Sequence, residues 1–185
     1  MIDQIILEDV ERIKRDLKRE DFEGKRVLVT GGAGFLGSWL IDVLVRFDAE
    51  VACLDNLSTG KLENLDHLLK KPGFKFIEKD VCAFESNAKY DHIFHLASRA
   101  SPEEYQQRPI ETLQANSLGS YNMLELARKQ DSTILFASTS EVYGDAQMVP
   151  IPESYWGNVN PIGPRSCYDE GKRFAEALFM AYHRE

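Results

Sequence analysis

Apolar positions recur along the chain in two alternating rhythms. Residues 27–30, 51–54, 74–77, 93–97 and 134–137 are short runs rich in Val, Ile, Leu, Phe and Ala, which predict five buried strands. Between them lie segments with apolar residues at helical spacing. Residues 38–47 and 110–129 predict helices, Leu62, Leu65, Leu68 and Leu69 predict a short one, and a last helix is expected from about residue 168 to the end. Ahead of the first strand, Ile6, Val10, Ile13 and Leu17 sit among charges of both signs, predicting an amphipathic helix over residues 3–20 that packs on the main body or on a partner subunit. Strands alternating with helices build βαβ units around a parallel sheet covered on both faces. The expected class is therefore α/β, a Rossmann-type doubly wound sheet over residues 25–185 with a helical N-terminal segment over residues 1–24. Residues 142–167 break the rhythm. Rich in Pro, Gly, Ser, Asn and Tyr, they predict an ordered loop region beside a site.

The first strand runs into Thr30-Gly31-Gly32-Ala33-Gly34-Phe35-Leu36-Gly37, with glycines three apart at 31, 34 and 37. In a strand–loop–helix context such glycines permit a tight turn, close approach of backbone to a pyrophosphate, and close packing of the next helix on the sheet. The helix N-terminus then receives the phosphate charge. Eighteen residues past Gly37, the second strand ends at Asp55. A carboxylate there can accept both adenosine ribose hydroxyls and repel a 2′-phosphate, favouring NAD over NADP, although it can also cap a turn. Asn56, Ser58, Thr59 and Gly60 follow it in a turn. Asp80 and Val81 end the third strand, where Asp80 is a candidate for the adenine amino group or for a surface turn. Leu96, Ala97 and Ser98 end the fourth, where small residues let a cofactor cross the sheet edge or simply pack.

A second constellation lies near the C-terminus. Tyr168 and Lys172 stand one helical turn apart on one face. A nearby cation favours the phenolate, so Tyr168 is a candidate base for a substrate hydroxyl. The fifth strand ends in Ser138-Thr139-Ser140-Glu141. A hydroxyl at that position can donate to a substrate oxygen, and Glu141 is a candidate acid or base if burial raises its pKa.

Composition narrows the partners. Thirty acidic against 22 basic residues give a net charge of −8, which disfavours a nucleic-acid surface. Cys53, Cys82 and Cys167 are odd in number and far apart, so no disulfide framework is expected. His67, His92, His95 and His183 lack metal-ligand spacing, so no metal is expected. No apolar run is long enough for a bilayer, and charges interrupt the first thirty residues, so neither a membrane span nor a signal peptide is expected and the location is read as cytoplasmic.

The glycine loop, Thr139-Ser140-Glu141-Val142-Tyr143-Gly144 and Tyr168xxxLys172 together resemble the extended short-chain dehydrogenase/reductase family of nucleotide-sugar enzymes. The run from Glu153-Ser154-Tyr155-Trp156 through Asn160-Pro161-Ile162-Gly163-Pro164-Arg165-Ser166-Cys167-Tyr168 resembles its UDP-glucuronate decarboxylase group, as does Pro109-Ile110-Glu111-Thr112-Leu113. The resemblance implies NAD as cofactor, Tyr168 as base, Lys172 as its ribose-binding partner, Thr139 on the sugar C4 oxygen and Glu141 assisting beyond C4. It places Asn116 in close support of the cofactor site, and Ser98, Pro102, Tyr105 and Ser140 along cofactor and substrate. The implied reaction oxidises C4 of UDP-glucuronate, releases carbon dioxide and reduces the ketone again to give UDP-xylose. Ser140 stands where related 4,6-dehydratases carry Asp, which argues against dehydration. A 4-epimerase, a dehydratase, or a non-catalytic NAD-binding module are the alternatives.

The resemblance also implies a homodimer built on the 110–129 helix and the Tyr168 helix, although Leu124 and Phe179 serve equally as intramolecular core. Arg99 departs from the family, whose decarboxylases usually carry proline there. Family members are also longer, so the chain is expected to stop before the last strands and the substrate lobe.

Overall fold

A computed structural model describes residues 4–185. Five strands form one parallel sheet: β1 (Arg26–Thr30), β2 (Glu50–Asp55), β3 (Phe74–Glu78), β4 (His92–His95) and β5 (Thr133–Phe136), in the order β3-β2-β1-β4-β5. β1 is central, and Val27, Leu28 and Val29 are fully buried, as a strand covered on both faces requires. Val27, Val29, Val51 and Cys53 face Ile41 and Leu44 of α2 (Phe35–Arg46). Leu28, Ala52, Leu54 and Ile93 face Met123, Leu126 and Ala127 on the other side. The sheet is thus doubly wound. Its order reverses between β1 and β4, where the C-terminal ends of the strands open a crevice.

The remaining helices are α1 (Gln4–Ile13), α3 (Pro102–Gln107), α4 (Pro109–Gln114), α5 (Ser120–Gln130) and α6 (Ser166–Arg184). The helix expected over residues 110–129 forms, but Ala115–Gly119 is a π-helical turn joining α4 to α5. That turn carries Asn116 into the interior. α2 begins at Phe35, directly on the glycine loop, three residues ahead of the hydrophobic pattern. α1 is shorter than expected: Val10 packs on Val43 and Phe47, and beyond Ile13 the chain turns and leaves Leu17 exposed. Residue 3 lies outside the described part.

Leu62–Leu65 makes only a 3-10 turn, because burying Leu65 and Leu68 under α2 needs a compact crossover rather than a helix. α3 has no counterpart in the apolar pattern, and Pro102 at its first turn is the local signal for it. β4 ends at His95, so Leu96 and Ala97 belong to the loop after it. Residues 144–165 hold no long element, as expected. They are tied down by the Gly144–Asn158 bridge and by Arg173, whose Nη1 donates to the carbonyls of Val142 at 2.7 Å and Trp156 at 3.0 Å.

The glycine loop explains how tightly the crevice is built. Gly31 has φ +69°, and a Cβ there would lie 2.9 Å from the Ala97 backbone. A Cβ on Gly37 would meet the Gly31 carbonyl oxygen at 2.3 Å and Gly32 Cα at 2.6 Å. These neighbours are backbone and cannot swing aside. Gly37→Ala is therefore expected to destabilise the chain by about 3 kcal/mol, at the upper end of over-packing costs. Urea unfolding measures it, with Gly24→Ala as the comparison, since nothing lies within 4 Å of a Cβ there and only its φ of +67° opposes the change.

Candidate active site

The crevice is a cleft of about 420 Å³ over the C-terminal strand ends. Gly31, Gly34, Phe35, Leu36 and Gly37 form one wall; Asp55, Asn56, Ser58, Thr59 and Gly60 follow β2; Asp80 and Val81 follow β3; Leu96, Ala97 and Ser98 follow β4; Tyr168 and Lys172 close the far end. The structure thus brings together almost every residue singled out for a cofactor. Asn116 is the exception. It is fully buried behind Ala115, which does line the cleft; its Nδ2 donates to the Thr112 carbonyl at 3.1 Å, and its Oδ1 has no partner.

Sequence reasoning missed Leu54, Lys79, Ala100, Glu111, Ala115 and Ala137, which also border the cleft, as does Ser138, the first hydroxyl of the run at the end of the fifth strand. For Leu54, Lys79 and Ala137 the signal was their place at strand ends. Glu111 and Ala115 come from the helix crossing behind, and no local pattern marks them.

The polar groups of the cleft are held by one another. Asp55 is buried, and its carboxylate accepts from Ala33 N at 3.0 Å and Leu57 N at 2.8 Å. It therefore does cap the turn, while still presenting an edge to the cleft. Asp80 accepts from Asn56 Nδ2 and Cys82 N, each at 2.7 Å. Burial alone would raise its pKa, but these bonds and the charge of Arg99 outweigh that and leave it below the usual carboxylate value.

Beneath the β1–β4 junction, His95 is wholly buried, with Nδ1 2.8 Å from Thr30 Oγ1 and Nε2 3.1 Å from Ser120 Oγ. Thr30 Oγ1 already accepts from Leu96 N and Ala97 N, so its one proton goes to Nδ1 and the imidazole donates from Nε2. Burial, with Lys172 adding to it, holds the imidazole neutral by lowering its pKa to about 3. This network fixes the loop that faces Gly31.

At the reacting end, the Thr139 hydroxyl acts on the Tyr168 phenol and lowers its pKa, while its Oγ1 accepts from Glu141 N at 3.2 Å; Thr139 itself does not border the cleft. Lys172 is almost fully buried; its Nζ donates to the Ala137 carbonyl at 2.6 Å and stands 4.5 Å from the Phe136 ring centre. Two expectations need correction. Tyr168 is not poised as a phenolate here, because burial, with the charges of Glu141 and Asp169 adding to it, pushes its pKa up against the opposing effect of the Thr139 hydroxyl. Glu141 is not buried either: its side chain is 37% exposed and paired with Arg165. Tyr105 does not line the cleft. It stacks on Tyr168, with ring centres 5.0 Å apart and planes within 5°, and so reaches the site through the phenol. Pro102 begins α3 and Ser140 is exposed, and neither borders the cleft.

Fold and site together define a Rossmann-type dinucleotide-binding protein of the short-chain dehydrogenase/reductase class. The sequence matches the GDP-mannose 4,6-dehydratase family over residues 28–185, and the chain belongs to that family. A curated relative, UDP-glucuronic acid decarboxylase 1 of Arabidopsis thaliana, is 52% identical over 159 residues, covering 86% of this chain and 36% of its own length. Among solved structures, UDP-glucose 4-epimerase of Thermotoga maritima with UDP-glucose superposes with a TM-score of 0.74 at 32% identity, over 86% of this chain and 52% of that one. UDP-glucose 4-epimerase of Thermus thermophilus with NAD gives 0.68 at 34%, over 86% and 51%. The chain spans between 36% and 47% of the curated decarboxylases it matches.

Burial lowers the pKa of Lys172 to about 8, with Glu176 offsetting part of the shift. Between pH 8 and the ordinary lysine value of 10.5, the unfolded chain holds this proton and the folded chain does not, so the site's contribution to stability rises with pH. Lys172→Met is expected to remove that rise, read as the difference in urea midpoints on either side of pH 8 between the variant and the parent.

Proposed function

We propose that the protein is the NAD-binding, base-bearing part of a UDP-glucuronate decarboxylase, with residues 25–185 forming the cofactor domain. The observation that carries this reading is the convergence of Tyr168 and Lys172 at the end of the glycine-loop cleft, with the Thr139 hydroxyl acting on the phenol, in a chain about half identical to decarboxylases. The cleft fits a dinucleotide. Its glycine wall leaves no room for a Cβ, Asp55 and Asp80 face the end where adenosine would lie, and the helix N-terminus at Phe35 favours the phosphates. When bound, NAD supplies a hydride acceptor for C4, returns that hydride later, and places positive charge near the phenol.

The chain's own groups supply the rest. Tyr168 accepts the C4 hydroxyl proton, with the Thr139 hydroxyl acting on the phenol from the end of β5. Lys172 fits the cofactor ribose and the task of keeping positive charge beside Tyr168. The 4-ketone makes the C5 carboxylate a β-keto acid, so carbon dioxide leaves with its bonding electrons delocalised into the C4 oxygen. Thr139 and protonated Tyr168 hold that oxyanion. After C5 is protonated and C4 reduced, Tyr168 returns its proton to the C4 oxygen. Glu141 stands beside this centre, exposed and paired with Arg165.

The reading carries a nucleotide-sugar substrate, a homodimer and a cytoplasmic location. No helix among the described residues is long and apolar enough to cross a membrane. Ile110, Leu113 and Tyr121 are exposed on the helices that would face a second subunit, whereas Leu124 is buried and Phe179 stacks on Phe136 within the chain.

Incubation with UDP-glucuronate and NAD is expected to give a product lighter by one carbon dioxide, measured by mass spectrometry. Tyr168→Phe should lower the rate by roughly two to four orders of magnitude. An epimerised product of unchanged mass would overturn the decarboxylase reading and keep the cofactor site.

A further inference from the structure

Three cations border the cleft, Lys79, Arg99 and Lys172, and Lys172 is already engaged with the Ala137 carbonyl. Arg99 is unusual for a loop arginine, since its side chain is only 12% exposed. Its Nη2 lies 2.8 Å from Glu111 Oε2. Glu111 also borders the cleft and takes Arg108 Nη1 on its other oxygen at 3.2 Å. One half-exposed carboxylate therefore serves two guanidinium groups, so neither has it to itself.

The backbone that carries Arg99 is fixed. Two residues earlier, Ala97 packs against Gly31 closely enough to exclude a Cβ, and its N–H is held by Thr30 Oγ1. The charge of Arg99 also reaches Asp80 on the same wall. A guanidinium presents the same planar fork of donors to a carboxylate and to a phosphate.

We propose that Arg99 is a diphosphate-binding residue of this cleft, with the Glu111 carboxylate occupying the place that a diphosphate oxygen takes when ligand binds. The inference rests on the nucleotide reading of the cleft. The diphosphate belongs either to the dinucleotide or to the nucleotide sugar, and both present the same chemistry. Nucleotides that keep the base and ribose but lack the diphosphate should not sense Arg99.

Calorimetric titration of the chain with adenosine, ADP, NAD, uridine and UDP tests this. Arg99→Ala is expected to weaken a diphosphate ligand by roughly ten- to a hundredfold, as loss of a charged hydrogen bond does, and to leave the nucleosides unchanged. Arg99→Lys should recover part of the loss, since the charge returns without the fork. Glu111→Gln should tighten the same ligand, because the competing carboxylate is gone. Loss confined to ADP and NAD assigns the dinucleotide, and loss confined to UDP assigns the nucleotide sugar. Equal binding of every ligand to parent and Arg99→Ala overturns the proposal while leaving the cleft reading intact, and so does equal weakening of nucleosides and diphosphates. A parent chain that binds neither ADP, NAD nor UDP overturns the cleft reading and the proposal together.

Discussion

The contact between the glycine loop and the backbone after β4 is the constraint on which the rest depends. Gly31 lies against Ala97, and Gly37 against Gly31 and Gly32, at distances that only hydrogen atoms fill. This contact sets the start of α2 at Phe35, brings the segment 96–99 to the cleft, and leaves the crevice at the reversal of strand order open for a ligand. Thr30 reinforces it by bonding to both Leu96 N and Ala97 N, and His95 completes the bridge to Ser120. A neutral, doubly bonded imidazole is well suited to that task, because it satisfies a hydroxyl on each side without bringing a buried charge.

The reacting end shows a different balance. Tyr168 and Lys172 are both buried, and burial disfavours the charged form of each, raising the phenol and lowering the ammonium. The two shifts separate a pair whose ordinary values nearly coincide, so that the ammonium gives up its proton before the phenol does. Tyr105, stacked flat on Tyr168, and the Phe136 ring beneath Lys172 hold both groups by area and π contact rather than by charge.

The cleft is rich in carboxylates, and each has a prior engagement. Asp55 caps its own turn, Asp80 caps the next one and binds Asn56, and Glu111 holds Arg99, while Glu141, outside the cleft, holds Arg165. In a protein of net charge −8, these bonds neutralise the acids that line a cleft proposed for phosphate-bearing ligands. The arginines do this at the rim, and backbone N–H groups do it at the strand ends.

The sequence by itself determined the parallel α/β frame, because strand runs and helical spacing are local patterns. It also determined most of the cleft wall, because glycine spacing and the residues at strand ends follow from chain direction. The Tyr168–Lys172 pair was legible for the same reason, being one turn of one helix. Tertiary structure alone decided the rest. The π turn at Ala115–Gly119, the burial of Asn116, the arrival of Glu111 and Ala115 at the cleft and the stacking of Tyr105 on Tyr168 all join residues from different elements. The direction of the Tyr168 shift also belongs to the folded state. Sequence spacing places a cation one turn away, but the depth of burial and the approach of the Glu141 charge to the phenol appear only when β5 and α6 are packed together. Charge and desolvation act through space, and neither can be counted along the chain.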